Sequence, residues 1–417
     1  MKSKVRHPHA VPVNNEGFQR LCAGHPWIFR GHLSEEFLKS ALKPGLYPLG
    51  EHWFLYSTQS NIALRRIGPN ERLWMGLAGG SERLPILDVS VFEEHFSHWL
   101  KQHLLKTYQK KQLLLDGEKC FRWIFSESDL LPGLIVDVFE NELAAQIQSE
   151  AMEWAWPAVR KILLKSSEEL GLKNPVIFEI RRTKARLKEG LSNIEIPDVQ
   201  SDLKILEWNS FKWHMQAAKG QKTGAYFDQR ENHLSAANWA KKLQLKNAWD
   251  LCCYHGGFAL HLAKAGLSVH AVDDSKQALE IAEKNTELNS LTGMSFEKAD
   301  VFEFLRRQYD QKSEVDMIVL DPPSVSASKK DLNSALRGLN ELHLRAFHCL
   351  KKSGLLVTCT CSHAINETLL LNVIREAAHS ARRHVQVFEK RGPSPDHAAL
   401  PNLPESDYLH AFYLGVE

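Results

Sequence analysis

The feature that most constrains this chain is an alternation that starts near Leu203 and runs to the end, with apolar segments separated by amphipathic ones. "NAWDLCC", "LSVHAVD", "MSFEKAD", "VDMIVLD" and "GLLVTCTC" read as strands. Between the first two lies "GGFALHLAKAG", whose Phe258, Leu262 and Ala265 recur at helical spacing, and "KQALEIAEKNTEL" is the helix between the second and third. Apolar strands joined by crossover helices predict a doubly wound α/β sheet. Two more segments, "HVQVFEK" and "YLHAFYLGV", follow the final helix and are expected to form an edge hairpin.

The upstream sequence has a different texture. "GLYPLG", "HWFLYST" and "NIALRRI" are short strand-like pieces broken by Gly, Pro and polar turns, which predicts a small β-rich module over residues 1–75. A helical pattern from Leu87 to Leu115, a strand pair at "GLIVDVF" and "LAAQIQS", and a strand at "NPVIFEI" predict a small α+β domain over 76–197. The sheet domain then occupies 198–417. Three units suit a chain of 417 residues, which is longer than one core usually supports.

With 43% hydrophobic and 24% charged residues, and no apolar run long enough to cross a bilayer, the expectation is a cytoplasmic protein without a membrane partner. The opening "MKSKVRHPHAVPV" has no apolar segment that would read as a secretion signal. Seven scattered cysteines resemble neither a disulfide framework nor a zinc site, so free thiols and no metal are expected. A net charge of +2 says little about a polyanionic partner. Local charge says more: "FEIRRTKARLKEG" gathers Arg181, Arg182, Lys184, Arg186 and Lys188, either as a solvated face or as a phosphate-contacting patch.

Ligands of open α/β sheets bind beyond the carboxyl ends of the strands. Here the first strand runs into Gly256–Gly257, the second ends in Asp273, the third in Asp300 and the fourth in Asp321-Pro322-Pro323. Each acid alone is equally well a helix N-cap. In order, they describe an adenosine site beside a rigid substrate loop, with Asp273 for ribose hydroxyls and Asp300 for an adenine amino group. No G-x-x-x-x-G-K-[ST] loop for a triphosphate is present. Cys359 and Cys361 share one face of the fifth strand. Cys361, at its mouth opposite Asp321, is the candidate nucleophile, while Cys359, Cys252 and Cys253 read as packing. A thiolate adding at C6 of a cytosine makes C5 able to attack an electrophilic methyl group, and a carboxylate at N3 stabilises the charge that develops.

These residues carry a family resemblance. "AGHPWIFRG", "ESDLLPGLIVD", "GQKTGAYFDQR", "CCYHGGFAL", "AVDDSKQAL", "KADVFEFL", "LDPPS" and "TCTCS" occur in the order found in the large-subunit (23S) ribosomal RNA methyltransferase I family, which the chain resembles over nearly its whole length. The resemblance implies a PUA-like RNA-binding domain, an α+β middle domain and a C-terminal class I methyltransferase domain of Rossmann-like fold. It further implies S-adenosylmethionine as cofactor, with Phe227, Tyr254, Gly256, Asp273, Asp300 and Asp321 lining its pocket. Cys361 matches the nucleophile. Gln229, Arg230, Pro322 and Pro323 are implied around the substrate, with Arg181 and Arg182 facing RNA, and the partner is 23S ribosomal RNA, naked or in an assembling subunit. Ser324, Val325, Leu339, Asn340 and Leu130 depart from the family pattern. Methylation of a ring or exocyclic nitrogen, a non-catalytic assembly role, and homodimer formation stay open at this level.

Overall fold

The computed structural model describes residues 13–33, 35–39, 43–49, 52–67, 89–194, 203–217, 223–323, 329–362 and 364–417. Both expected domain boundaries, and Ser324 and Val325, lie outside these residues. The chain divides into two compact units.

The first unit comprises Met1–Leu206, Met215–Ala225 and Pro395–Pro404. Helices α1 (Asn15–Cys22) and α2 (Glu35–Lys39) accompany strands β1 (Trp27–Phe29), β2 (Gly45–Leu49), β3 (His52–Tyr56) and β4 (Ile62–Ile67), which form an antiparallel sheet in the order β1-β4-β3-β2. A second sheet, in sequential order, contains β5 (Cys120–Phe125), β6 (Leu134–Phe139), β7 (Glu142–Ile147) and β8 (Val176–Ile180). Helices α3 (Val89–Leu114) and α4 (Glu150–Glu169) contribute Phe96, Leu100, Leu104, Met152, Trp156 and Val159 to the core on this sheet. Strand β5 was not foreseen, although "CFRWIF" is rich in the aromatic and β-branched residues that favour a pleated, half-buried surface.

The motifs quoted from this unit are tied to one another. The Trp27 indole N–H donates to Glu127 at 2.8 Å, and Asp129 accepts from Lys111 at 3.0 Å. Asp137, fully buried, receives both arms of Arg122 at 2.7 and 2.8 Å and the hydroxyl of Thr223. Leu130 sits in the left-handed region at φ 57°, which explains why a glycine would be at ease there. The basic run forms the short helix α5 (Lys184–Lys188), capped by the Thr183 hydroxyl. Arg186 is buried and donates to Glu153 at 2.7 Å and to the Ile147 carbonyl at 2.6 Å.

Strands β9 (Lys204–Trp208) and β10 (Phe211–Met215) form a hairpin. This hairpin was also missed, and its signal was the Asn209-Ser210 pair, both at positive φ (52° and 63°), between alternating residues.

The second unit holds Glu207–His214, Tyr226–Ser394 and Glu405–Glu417. Its strands are β11 (Asn247–Leu251), β12 (Ser268–Asp273), β13 (Met294–Lys298), β14 (Val315–Leu320), β15 (Leu350–Thr360), β16 (Val385–Arg391) and β17 (His410–Val416). Helices α6 (Arg230–Lys242), α7 (Gly257–Lys264), α8 (Lys276–Leu288), α9 (Val301–Asp310), α10 (Lys329–Cys349) and α11 (Glu367–Ala381) connect or flank them. The sheet order is β13-β12-β11-β14-β15-β17-β16, with the first five strands parallel and β17 antiparallel to both its neighbours. The last two strands do pair as an edge hairpin, with β17 slotted inside and β16 outermost. Strand order reverses between β11 and β14, so a ligand crevice is expected beyond their carboxyl ends. Two apolar cores, one including Phe304, Phe347 and Ile374 and the other Phe258, Leu262 and Leu355, back the sheet and hold those ends rigid.

Candidate active site at the strand ends

The loop after β11 is shaped by three residues in the left-handed region: Cys252 at φ 65°, Tyr254 at 50° and Gly256 at 87°. Strain at two non-glycine residues persists only where surroundings hold it, and such positions cluster at functional sites. Here the holding bonds are visible. The N–H groups of Cys252 and Cys253 both donate to the Val272 carbonyl, at 2.9 and 3.1 Å, and that of Tyr254 donates to Asp273 at 2.9 Å. Both cysteines therefore lie just past the first strand, which ends at Leu251, and not inside it as the sequence suggested. Gly256 holds φ 87°, where side-chain-bearing residues are strained, and a Cβ there would also press on the Leu260 side chain at 2.6 Å, so the turn favours glycine.

Three acids at these ends are held by backbone N–H groups. Asp273 accepts from Tyr254 and, at 2.8 Å, from Ser275. Asp300 accepts from Phe302 and Glu303 at 2.9 and 3.1 Å and thereby caps α9, while remaining exposed. Asp250, which the sequence reading did not single out, is fully buried and accepts from Ala259 at 2.8 Å. Its other oxygen is buried and has no partner among the described residues. Burial, reinforced by the charges of Asp321 and Asp273, pushes the Asp250 carboxyl up to about 8. The signal for Asp250 was its position two residues before the turn, at the end of a strand.

On the β14 side, Asp321 continues the strand and donates its N–H to the Leu251 carbonyl at 3.3 Å. Asp321 and Pro322 are half-buried and Pro323 is exposed. Leu320 registers against Thr358 of β15, which places Cys359 beside Asp321 and Cys361 just beyond it. Cys359 is 0% exposed, and burial next to Asp321 pushes its thiol well up, so it stays protonated. Cys361 is half-buried. Tyr226 stands near this pair, its ring edge-on to Tyr254 at 5.0 Å; burial and the nearby Tyr254, Cys361 and Asp321 hold its hydroxyl protonated.

Gln229 and Arg230, expected around the substrate, are both buried. Gln229 donates to Asp321 at 3.0 Å, and the Arg230 guanidinium lies over the Trp208 and Phe227 rings at 5.4 and 5.6 Å. Phe227 is buried edge-on against Trp208 rather than lining an open surface. In the other unit, Arg181 spends its guanidinium on Glu153 and Glu179, whereas Arg182 is exposed.

Residues 244–392 match a family described as a methyltransferase domain. A ribosomal RNA large subunit methyltransferase I from Tolumonas auensis is 35% identical over 409 residues, covering 96% of this chain and 97% of that protein. Its namesake from Pseudoalteromonas atlantica is 31% identical over 404 residues, covering 93% and 94%. The chain belongs to the ribosomal RNA large subunit methyltransferase I family. The fold is shared with a crystal structure described as a methyltransferase complexed with SAH, which superposes with a TM-score of 0.72 over 97% of this chain and 98% of the other, at 16% identity. A Streptococcus mutans protein described as a SAM-dependent methyltransferase gives 0.68 at the same coverage. Within this family member, the left-handed turn and the strand-end acids fall inside the matched methyltransferase domain, as do Asp321 and Cys361.

Proposed function

We propose that this chain methylates C5 of a cytosine in large-subunit ribosomal RNA, using S-adenosylmethionine and a covalent adduct through Cys361. The residues at the strand ends suit that cofactor. Its ribose hydroxyls are donors and its sulfonium and ammonium are cationic; Asp273 offers a carboxylate that no cation among the described residues neutralises, and Asp250 a buried carboxyl group that gives up its proton when positive charge arrives. When bound, it supplies an electrophilic methyl group. Gly256 admits a close backbone approach, and Tyr254 closes the turn over Asp273.

One observation carries the cytosine reading: a half-buried Cys361 and Asp321 stand on the adjacent ends of β15 and β14, with the deeper Cys359 sealed in the core. The Cys361 thiolate forms a bond to C6. As that bond forms the C5–C6 and C4–N3 π electrons shift, and Asp321 in its acid form gives a proton to N3, so the ring becomes an enamine whose C5 is nucleophilic; Asp321 takes the proton back when the adduct breaks down. After C5 is methylated, a base takes the C5 proton, the C5–C6 double bond re-forms and the C6–S bond breaks to return the thiolate. The test incubates wild type and Cys361→Ala with methyl-labelled S-adenosylmethionine and unmodified large-subunit RNA, followed by nucleoside mass analysis. Label in 5-methylcytidine that disappears in the variant supports the reading. Label in a guanosine product that survives the substitution refutes it in favour of nitrogen methylation.

A further inference from the structure

The Gln229 amide is engaged at both ends inside the protein. One amide hydrogen goes to Asp321 Oδ2 at 3.0 Å. Its oxygen accepts from Asn232 Nδ2 at 2.6 Å, which fixes the amide so that nitrogen, and not oxygen, faces the carboxylate. Asn232 is fixed in turn: its side-chain amide nitrogen also donates to the Gly392 carbonyl at 3.3 Å, and its backbone carbonyl accepts from the Tyr413 hydroxyl at 2.9 Å. Gln229, Asn232 and Tyr413 are 4%, 0% and 0% exposed. The relay runs from the inner strand β17 through α6 to the end of β14.

We infer that Gln229 is a positioning residue: held by Asn232, it orients the Asp321 carboxylate toward the reacting base without touching RNA or cofactor. Two rigid prolines hold the backbone after Asp321, yet they leave its side-chain torsion free, and Gln229 supplies that constraint. The inference rests on the proposed role of Asp321 in methyl transfer. It also reassigns a residue that the family resemblance implied around the substrate.

The experiment compares wild type, Gln229→Ala and Gln229→Glu, each checked for an unchanged melting profile. Turnover on unmodified large-subunit RNA and binding of S-adenosylmethionine by calorimetry are measured separately. Loss of a donor to a carboxylate lowers kcat roughly 10- to 100-fold. KM for RNA and the cofactor Kd stay within about twofold. In Gln229→Glu the introduced carboxyl faces Asp321, Cys359 and Asn232, and it donates to Asp321 only when protonated, so its activity relative to wild type rises as pH falls. A raised KM with kcat intact, or a Gln229→Glu deficit independent of pH, overturns the inference. Wild type that labels a base other than cytosine refutes the proposed reaction, and the kcat–KM split still decides the role of Gln229. Should wild type transfer no methyl group at all, a crystal structure of Gln229→Ala decides it: a rotated or split Asp321 carboxylate supports positioning, and a single unchanged rotamer overturns it.

Discussion

Asp137 in the first unit and Asp250 in the second are both completely buried, and the protein treats them in opposite ways. Asp137 answers both arms of Arg122 and a threonine hydroxyl. Asp250 answers a single backbone N–H, and its second oxygen has no partner among the described residues. The neighbours repeat the contrast: Asp129 pairs with Lys111, whereas Asp273 and Asp300 are held by backbone N–H groups with no cation among the described residues. A buried charge that is already paired is part of a scaffold. An acid at a strand end that is oriented by backbone N–H groups and meets no cation is poised for a ligand that brings donors or positive charge.

Breaking the paired side has the largest expected effect. Arg122→Met leaves the Asp137 carboxylate buried beside a lone hydroxyl donor and costs about 3–5 kcal/mol of stability, read by urea denaturation. A loss below about 1 kcal/mol would mean that water reaches Asp137 and that the contrast is one of degree.

The unpaired side has a pH signature. An Asp250 carboxyl raised to about 8 keeps its proton in the native state between roughly pH 4 and pH 8, where the unfolded chain has released it. The native state then binds more protons, so this contribution is fully present at acid pH and declines as pH rises through that window, on the order of 1 kcal/mol per pH unit. Asp250→Asn flattens the slope, measured by chemical denaturation across pH. Cofactor binding that brings positive charge to Asp250 should also release a proton near pH 7, detectable by calorimetry in buffers of different ionisation enthalpy.

Asp273→Ala sharpens the same distinction at a half-buried acid. Affinity for S-adenosylmethionine falls roughly 10- to 100-fold while stability changes by less than about 1 kcal/mol. The inverse pattern would move Asp273 into the scaffold class. The smallest effect is expected at Leu130, next to the paired Asp129: Leu130→Gly relieves a left-handed residue and raises stability by about 0.5–1 kcal/mol in a thermal melt. A fall would mean that burial of the leucine side chain outweighs its backbone strain.

Much of the second unit was legible in advance. Apolar runs marked all five parallel strands, and the acids at the ends of β12, β13 and β14 stand where doubly wound topology makes strand ends converge. Legibility failed where local pattern and long-range pairing diverge. The charge run around Arg181 and Arg186 looks basic in one dimension, yet Glu153 from α4 neutralises part of it. Asp250 was passed over because nothing in "NAWDLCC" tells a strand-end acid that will be buried from one that will be solvated.

By itself, the sequence determined the alternation of strands and helices, the glycine turn after β11, and the rigid Asp-Pro-Pro loop, because each is set by periodicity or by backbone restrictions of single residues. Only the tertiary structure decided which acids are paired and that Gln229 donates to Asp321, 92 positions away. Those outcomes depend on which side chains meet across the sheet, and burial, which sets the cost of every unpaired charge, exists only once the chain has folded.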